Sequence, residues 1–336
     1  MLLAQPISVN GLAIANRIVM PPMATYKAAD GLIGAELCAW YAARAEAGTG
    51  LIIVEHSSVD ARGRVDTRQI SVADDTALPG LARLAESVHR AGPSRLFAQL
   101  NHAGSQRKKP VPDTELVSAS AVPHPALDTN EVPRALTVEE IQALVARFAQ
   151  AAARVRQAGF DGVEIHAAHG YLLNQFYSPL TNRRSDDYGG QSLNTRLRFL
   201  LETVEAVRRV VGRDFPLAVR LGGADYMPGG SSIEDAVAAA HCLEQAGVDL
   251  LDISGGMCRY TRAGHDEAGW FADMSLAIRQ AVSVPVLLTG GIQTAAQAEE
   301  LLHKGAADLL GVGRAMLRNA AWSRDALKPH APLTEE

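Results

Sequence analysis

Short apolar runs alternate with amphipathic stretches along the whole chain. Four of the apolar runs follow an Ala-Gly or Lys-Gly pair, at Gly48, Gly159, Gly247 and Gly305. Glycine at the end of a helix tolerates positive φ, and an unbroken apolar run is typical of a strand that is buried on both faces. The repeated pattern therefore predicts helices that alternate with parallel strands.

Eight such strands are expected, which favours a closed (β/α)8 TIM barrel of the α/β class over an open, doubly wound sheet. The predicted strands lie near residues 18–23, 51–55, 96–100, 163–165, 217–220, 250–253, 284–288 and 309–312. Amphipathic helices are predicted over 78–91, 137–158, 195–211, 233–246 and 295–303. Two long loops, 101–136 after the third strand and 255–273 after the sixth, would overhang the barrel mouth. Residues 1–336 are expected to form a single domain.

The composition is that of an ordinary globular protein. The 336 residues are 47% hydrophobic and 21% charged, with a net charge of −5, so neither nucleic acid nor an anionic membrane surface is an expected partner. The cysteines, Cys38, Cys242 and Cys258, are too widely spaced for a disulfide framework or an iron–sulfur cluster. Because the sequence shows neither a signal peptide nor an apolar run of 18 residues, we expect a cytoplasmic protein.

The segment His166-Ala-Ala-His169-Gly-Tyr171 directly follows the apolar run 160–165. In α/β barrels, side chains at the carboxyl end of a strand converge on the ligand. Two neutral imidazoles can hold a carbonyl oxygen, and a phenol can deliver a proton, so this segment indicates an enzyme. A zinc site is the alternative reading of the two histidines, but no array of carboxylates accompanies them and no metal is expected.

Glycine turns follow the last two predicted strands, at Gly290-Gly291 and at Gly313-Arg314. The corresponding loops of barrels commonly bind a phosphate through backbone N–H groups, although two ligand-free tight turns are the alternative. A phosphate site alone does not separate a flavin enzyme from a flavin-free isomerase or lyase. No predicted strand carries the lysine that a Schiff-base aldolase requires.

Over almost its whole length the chain resembles the old yellow enzyme family of NAD(P)H:flavin oxidoreductases. The resemblance is carried by residues 16–23 (Asn-Arg-Ile-Val-Met-Pro-Pro-Met), 99–104 (Gln-Leu-Asn-His-Ala-Gly), the block 166–190 and 311–314 (Gly-Val-Gly-Arg). It implies a tightly bound, non-covalent FMN that is reduced by NADPH or NADH. It also implies reduction of the C=C bond of α,β-unsaturated carbonyl compounds by a ping-pong hydride transfer.

The resemblance implies roles for individual residues. His166 and His169 would bind the carbonyl oxygen of the substrate, and Tyr171 would protonate the carbon alpha to the carbonyl. Tyr26 matches a second tyrosine that faces the substrate in one branch of the family. The residues expected to contact FMN are Pro22, Met23, Ala24, His56, Gln99, Arg220, Gly290, Gly291, Gly313 and Arg314.

Several positions depart from the family pattern, including Ser105 in place of a common Arg. Ala24 replaces a Thr or Cys whose side chain hydrogen-bonds the flavin O4, and Thr25 is the neighbour that could substitute for it. His56 occupies a usually small position at the flavin edge, where the alternative is a ring that points into the barrel wall. These departures leave a non-catalytic flavin-binding paralogue as a second alternative. Residues 327–336 lack the terminal Arg-aromatic pair that completes a neighbour's site in some relatives, which leaves the type of oligomer open; a homo-oligomer is one alternative.

Overall fold

Eight parallel strands close into a barrel in the computed structural model, which describes residues 1–107, 111–112 and 114–328. In barrel order the strands are β3 (Ile18–Met20), β4 (Leu51–Ser58), β5 (Arg95–Asn101), β8 (Gly162–Ala167), β9 (Leu217–Gly222), β10 (Leu250–Ser254), β11 (Val286–Thr289) and β12 (Leu309–Gly311), which pairs with β3. This confirms the predicted TIM barrel. The first strand ends earlier than predicted, since Pro21 and Pro22 have no N–H to donate to a strand ladder.

Helices surround the barrel. They are α1 (Ala35–Glu46), α2 (Leu78–Ala91), α3 (Val138–Gln157), α4 (Leu172–Tyr177), α5 (Leu193–Val211), α6 (Ile233–Gln245), α7 (Ala272–Ala281), α8 (Ala295–His303), α9 (Arg314–Arg318) and α10 (Trp322–Ala326). The α2 and α8 bounds agree with the predicted ones, and a capping box between Thr137 and Glu140 starts α3. None of the helices in the described part of the chain has the length and apolarity of a membrane span.

An N-terminal hairpin of β1 (Ile7–Val9) and β2 (Leu12–Ile14) closes the lower end of the barrel. Val9 and Ile14 are fully buried, and they join an apolar cluster with the inward-facing residues of the barrel strands. The lower half of the barrel is therefore filled with side chains, which leaves the carboxyl ends of the strands as the place for polar groups.

The two long loops follow β5 and β10, as the sequence predicts. The first contains the short pair β6 (Val117–Ser118) and β7 (Arg134–Ala135) before α3 begins. The second, between Ser254 and Ala272, is anchored by Trp270 and Phe271, which are both buried. Residues 108–110, 113 and 329–336, which include most of the C-terminal segment considered above, lie outside the described part.

Candidate active site

The imidazoles of His166 and His169 and the phenol of Tyr171 meet at the carboxyl end of β8. The two imidazole centroids lie 5.0 Å apart with their planes nearly perpendicular, and the ring of Tyr171 is 4.9 Å from that of His166. Both histidines are buried. Nδ1 of His166 has no hydrogen-bond partner among the described residues, so a buried polar atom is left for a ligand.

Both imidazoles are held in the neutral state. Burial lowers the pKa of His166 well below its usual value, and His169 and Arg220 lower it further. Burial also dominates the low pKa of His169, with Arg220 and Arg259 adding to it. Neutral imidazoles donate one hydrogen bond each without bringing a positive charge to the site.

The ring of His169 is held by Ser254 at the end of β10. The Ser254 hydroxyl lies 2.7 Å from Nε2 of His169. This hydrogen bond orients the imidazole and places Nδ1 on the side of the ring that Ser254 does not occupy.

The turn that carries these groups is held on several sides. His169 and Gly170 both have positive φ, at 61° and 75°. The N–H of Gly170 donates to Oδ1 of Asn174 (2.7 Å), and its carbonyl accepts from Gln175 (2.7 Å) and from Nε2 of His124 (3.0 Å). His124, a residue of the long loop after β5, is buried and ties that loop to this turn. The side-chain amides of Asn174 and Gln175 on α4 thus hold the turn that carries His169 and Tyr171.

Tyr171 keeps its proton at neutral pH. Burial raises its pKa above the usual value, and Tyr26 raises it further. Tyr26 itself is 43% exposed, with φ of 56°, and the guanidinium of Arg68 lies 5.2 Å from its ring centroid. Tyr26 is therefore a rim residue whose charge state influences Tyr171.

His56 points into this cluster and not into the barrel wall. Its ring centroid lies 5.3 Å from that of Tyr171. The amide of Gln69 is oriented by the Val65 N–H, which donates to Oε1 (2.7 Å), so Nε2 of Gln69 donates to the carbonyl and to Nδ1 of His56 (both 3.1 Å). Nδ1 is therefore an acceptor and the ring proton is on Nε2. Burial lowers the pKa of His56 to about 4, so the ring is a neutral donor at the edge of the site.

The segment that holds Pro22, Met23 and Ala24 is anchored by Glu55, the residue before His56. The carboxylate of Glu55 accepts from the N–H and the hydroxyl of Thr25, both at 2.6 Å. Since the Thr25 hydroxyl is used in this bond, it does not replace the side chain that Ala24 lacks.

Gln99 and Arg220 lie deeper in the barrel mouth, and each is paired with a buried carboxyl group. Nε2 of Gln99 donates to Glu164 (2.7 Å), and Nε of Arg220 lies 3.0 Å from Asp252. Strand register places Arg220 beside His166 on one side and beside Asp252 on the other. Oε1 of Glu164 is buried without a hydrogen-bond partner among the described residues. Polar groups with spare hydrogen-bonding capacity thus lie directly below the histidines.

The Gly290-Gly291 turn packs against Trp270, and Arg314 of the second turn lies near the same ring. A Cβ on Gly290 would come within 2.9 Å of the indole Nε1, and one on Gly291 within 2.7 Å of the indole ring. Arg314 is exposed at the start of α9, with its guanidinium 5.3 Å from the Trp270 ring centroid. A Cβ added to Gly313 would lie 3.3 Å from Met23, so this turn adjoins the segment 16–23.

This turn region fits a phosphate. The indole N–H of Trp270 is buried without an acceptor, and Arg314 has no acidic partner among the described residues. A phosphate would satisfy both donors, and the glycines let its oxygens approach backbone N–H groups. The structure places Trp270 against the predicted phosphate turn.

Several site residues were missed by the sequence analysis. Glu164 and Asp252 are charged residues inside otherwise apolar strands, which is a signal that the sequence does carry. Ser254 and Gln69 carry no comparable signal, because their importance depends on tertiary contacts with His169 and His56.

The chain belongs to the NADH:flavin oxidoreductase / NADH oxidase family, whose profile matches residues 2–331. This confirms the predicted old yellow enzyme family, and with it FMN as the cofactor. The chain is 39% identical over 325 residues to an NADH oxidase from Thermoanaerobacter brockii, covering 95% of this chain and 49% of that protein. It is 40% identical to an NADPH dehydrogenase from Geobacillus thermodenitrificans, covering 97% and 94%.

Solved structures show the same fold. Morphinone reductase in complex with tetrahydroNAD superposes with a TM-score of 0.83 at 28% identity, over 96% of this chain and 90% of that one. An old yellow enzyme homologue from Zymomonas mobilis superposes with a TM-score of 0.82 at 28% identity, over 95% and 90%. The chain is also 38% identical to a metal reductase from Desulforamulus reducens, covering 98% of this chain and 49% of that protein. It thus spans about half the length of the first curated relatives that it matches.

Proposed function

We propose that the protein is an FMN-dependent NAD(P)H oxidoreductase that reduces the C=C bond of α,β-unsaturated carbonyl compounds or related activated alkenes. The observation that carries the proposal is the neutral His166/His169 pair beside a protonated Tyr171. Because the family carries FMN, the flavin-free isomerase or lyase considered from the sequence has no support. Residues 1–336 are proposed to act as one FMN-binding domain, and a cytoplasmic location and a homo-oligomer stay predictions.

Each group of residues has a proposed part in cofactor binding. Gln99 and Arg220 would hold the pyrimidine end of FMN, and Pro22 and Met23 would line its ring through their backbone. The other predicted FMN contacts are Ala24 and His56 at the ring edge and Gly290, Gly291, Gly313 and Arg314 at the phosphate. When bound, FMN supplies the chemistry of hydride transfer from the nicotinamide to the alkene.

The chain's own residues prepare the alkene for reduction. The N–H groups of His166 and His169 would bind the carbonyl oxygen and stabilise the negative charge that develops there as hydride reaches the β carbon. Tyr171 Oη would then give its proton to the α carbon, which completes the saturated product. The nicotinamide and the alkene would bind in turn at the same mouth, which gives a ping-pong order.

Replacing Tyr171 with Phe tests the proton-donor role. We expect Tyr171→Phe to slow the oxidative half-reaction with 2-cyclohexenone by about 10²–10⁴-fold, the usual contribution of a general acid. Reduction of the flavin by NADPH should stay within about twofold of wild type, because that step needs no proton at carbon. Stopped-flow absorbance at the flavin band measures the two steps separately.

Tyr188→Phe is a matched control, since that hydroxyl donates to Glu202 (2.7 Å) and lies outside the proposed site. It should leave both half-reactions unchanged. Equal slowing of both half-reactions in Tyr171→Phe would remove the proton-donor role. A flavin that is reduced by NADPH but is not reoxidised by any activated alkene would favour the non-catalytic paralogue.

A further inference from the structure

Arg259 lies at the end of a tight turn that follows β10. Its φ is +68°, a conformation that glycine adopts without strain and that arginine rarely adopts. The glycines that begin the turn are closely packed and leave no room for a side chain. A Cβ added to Gly255 would lie 2.1 Å from the carbonyl oxygen of Arg259, and one added to Gly256 would lie 2.3 Å from Asp225. A strained non-glycine residue in such a turn points to a role for its side chain.

The Arg259 guanidinium has no anionic partner among the described residues, and its Nε is buried without an acceptor. Asp225, whose carboxylate bonds the backbone of this turn, is already used by Ser178 (2.6 Å), the Ser231 N–H (2.9 Å) and the Met257 N–H (2.7 Å). An unpaired guanidinium with a buried N–H can accept an anion from outside the protein.

Three other arginines around the mouth are paired with a carboxylate. Arg262 lies 2.9 Å from Asp273, Arg220 lies 3.0 Å from Asp252, and Arg68 lies 3.1 Å from Asp66. Arg314 is unpaired too, but it belongs to the predicted phosphate turn. Among these arginines, Arg259 is thus the cation left available on the substrate side.

The turn adjoins the catalytic cluster. The backbone N–H of His169 donates to the Gly255 carbonyl (3.1 Å), and the ring centroid of Tyr260 lies 6.1 Å from that of His169. The positive charge of Arg259 contributes to the low pKa values of His169 and His124, and it partly offsets the rise in the pKa of Tyr171. Arg259 is therefore within electrostatic range of the place where substrate would bind.

We propose that Arg259 is an anion-binding residue that determines specificity. It binds a carboxylate or phosphate group of a ligand, and the reacting end of that ligand lies at His166, His169 and Tyr171. The inference rests on the proposed function of that site and adds a ligand class to it, namely compounds that carry an anionic oxygen group away from the reacting alkene. Such a group can belong to the alkene substrate or to the nicotinamide dinucleotide, since both would use the same mouth.

Isothermal titration of the holoenzyme with 5-oxocyclohex-3-ene-1-carboxylate and with its carboxamide tests the proposal. These compounds share one enone ring and differ in a charge that is remote from the alkene. We expect wild type to bind the carboxylate about tenfold more tightly, Arg259→Ala and Arg259→Gly to lose that preference, and Arg259→Lys to keep part of it. Arg209→Ala removes an exposed arginine from α5, at the opposite end of the barrel, and should keep the full preference.

Arg259→Gly separates a binding role from a structural one. Because glycine relaxes the positive φ, this variant should melt at the same temperature as wild type or higher while losing the anion preference. A lower melting temperature together with an unchanged preference would assign Arg259 a structural role and overturn the proposal.

Stopped-flow measurement of the Kd values of NADPH and NADH, in wild type and in Arg259→Ala, identifies the source of the anion. If Arg259→Ala weakens only the binding of the dinucleotides, the anion belongs to the dinucleotide. If it weakens only the binding of the enone carboxylate, the anion belongs to the alkene substrate. Unchanged affinities in all three assays contradict the proposal. An anion preference without alkene turnover would leave Arg259 as an anion site and overturn the proposed function instead.

Discussion

At the scale of single residues, the protonation of the site is determined by specific neighbours. Ser254 holds the ring of His169, and Gln69 orients the proton of His56 through an amide that the Val65 N–H holds in place. Burial keeps both rings neutral. The mouth therefore presents imidazoles that carry no positive charge and can hydrogen-bond an uncharged carbonyl oxygen.

Arg314 gives a residue-scale prediction about cofactor retention. We expect Arg314→Ala to weaken FMN binding by about 10- to 100-fold, because a charge-assisted contact to the phosphate would be lost. Titration of the apoprotein with FMN, followed by quenching of flavin fluorescence, measures this Kd. Arg318→Ala on the same short helix removes a guanidinium that bonds Gln293 (3.2 Å) and should bind FMN as wild type does. Equal Kd values for the two variants would remove Arg314 from the phosphate site.

At the scale of elements, the turn between β8 and α4 holds the proposed catalytic groups because three side chains converge on Gly170. The Asn174 amide accepts from its N–H, and Gln175 and His124 donate to its carbonyl. A single residue thus connects the β8 turn, helix α4 and the long loop after β5.

The substitution Gly170→Ala tests this connection against Gly159→Ala. Both glycines have positive φ, at 75° and 88°, so each substitution costs about 1 kcal/mol in backbone strain. A Cβ on Gly170 would also lie 2.3 Å from Nε2 of His124, whereas one on Gly159 meets open space. Urea denaturation should show a further loss of about 1–3 kcal/mol for Gly170→Ala, from the broken buried hydrogen bond, and slower alkene reduction. Equal stability and activity of the two variants would exclude a role for the His124 contact.

The sequence predicted the elements that carry a strong periodic signal. The buried strands and the helices α2 and α8 are read from apolar spacing, and the His166, His169 and Tyr171 cluster from its position after a strand. The N-terminal hairpin and the short helix α4 were not predicted, because their three to six residues are too few for a period to show. The direction of the His56 ring could not be predicted either, since it depends on Gln69, thirteen residues away along the chain.

At the scale of the whole molecule, barrel closure brings together groups that are far apart in sequence. Met23 lies against Gly313 because β12 pairs with β3, and Arg220 lies beside His166 because β9 pairs with β8. The barrel also buries several imidazoles at and around its mouth. Their burial has a consequence for the stability of the fold in acid.

We expect stability to fall as the pH drops below 6.5. Burial lowers the pKa of His124 from its ordinary 6.5 to about 4, so the unfolded chain takes up a proton in a range where the folded chain does not. The stability that this group contributes is complete above pH 6.5 and is lost as the pH falls through about 4, with about 2 kcal/mol lost by pH 5.

Urea denaturation at pH 7 and pH 5 checks this expectation. The decrease in the free energy of unfolding from pH 7 to pH 5 should be about 2 kcal/mol smaller in His124→Gln than in wild type. His241→Gln, which changes a half-exposed histidine on α6, should leave the pH dependence unchanged. The same pH dependence in all three proteins would contradict a low pKa for His124.

The most direct test of the account follows the hydride and the proton into the product. Under anaerobic conditions, wild type with NADPH deuterated at the transferred position should convert 2-cyclohexenone to cyclohexanone that carries deuterium at C3. Unlabelled NADPH in deuterated water should place deuterium at C2 instead, as Tyr171-mediated protonation requires. Mass spectrometry and NMR of the product read both positions. Oxidation of NADPH without any cyclohexanone, or a product labelled from the solvent at both carbons, would contradict the proposed reaction.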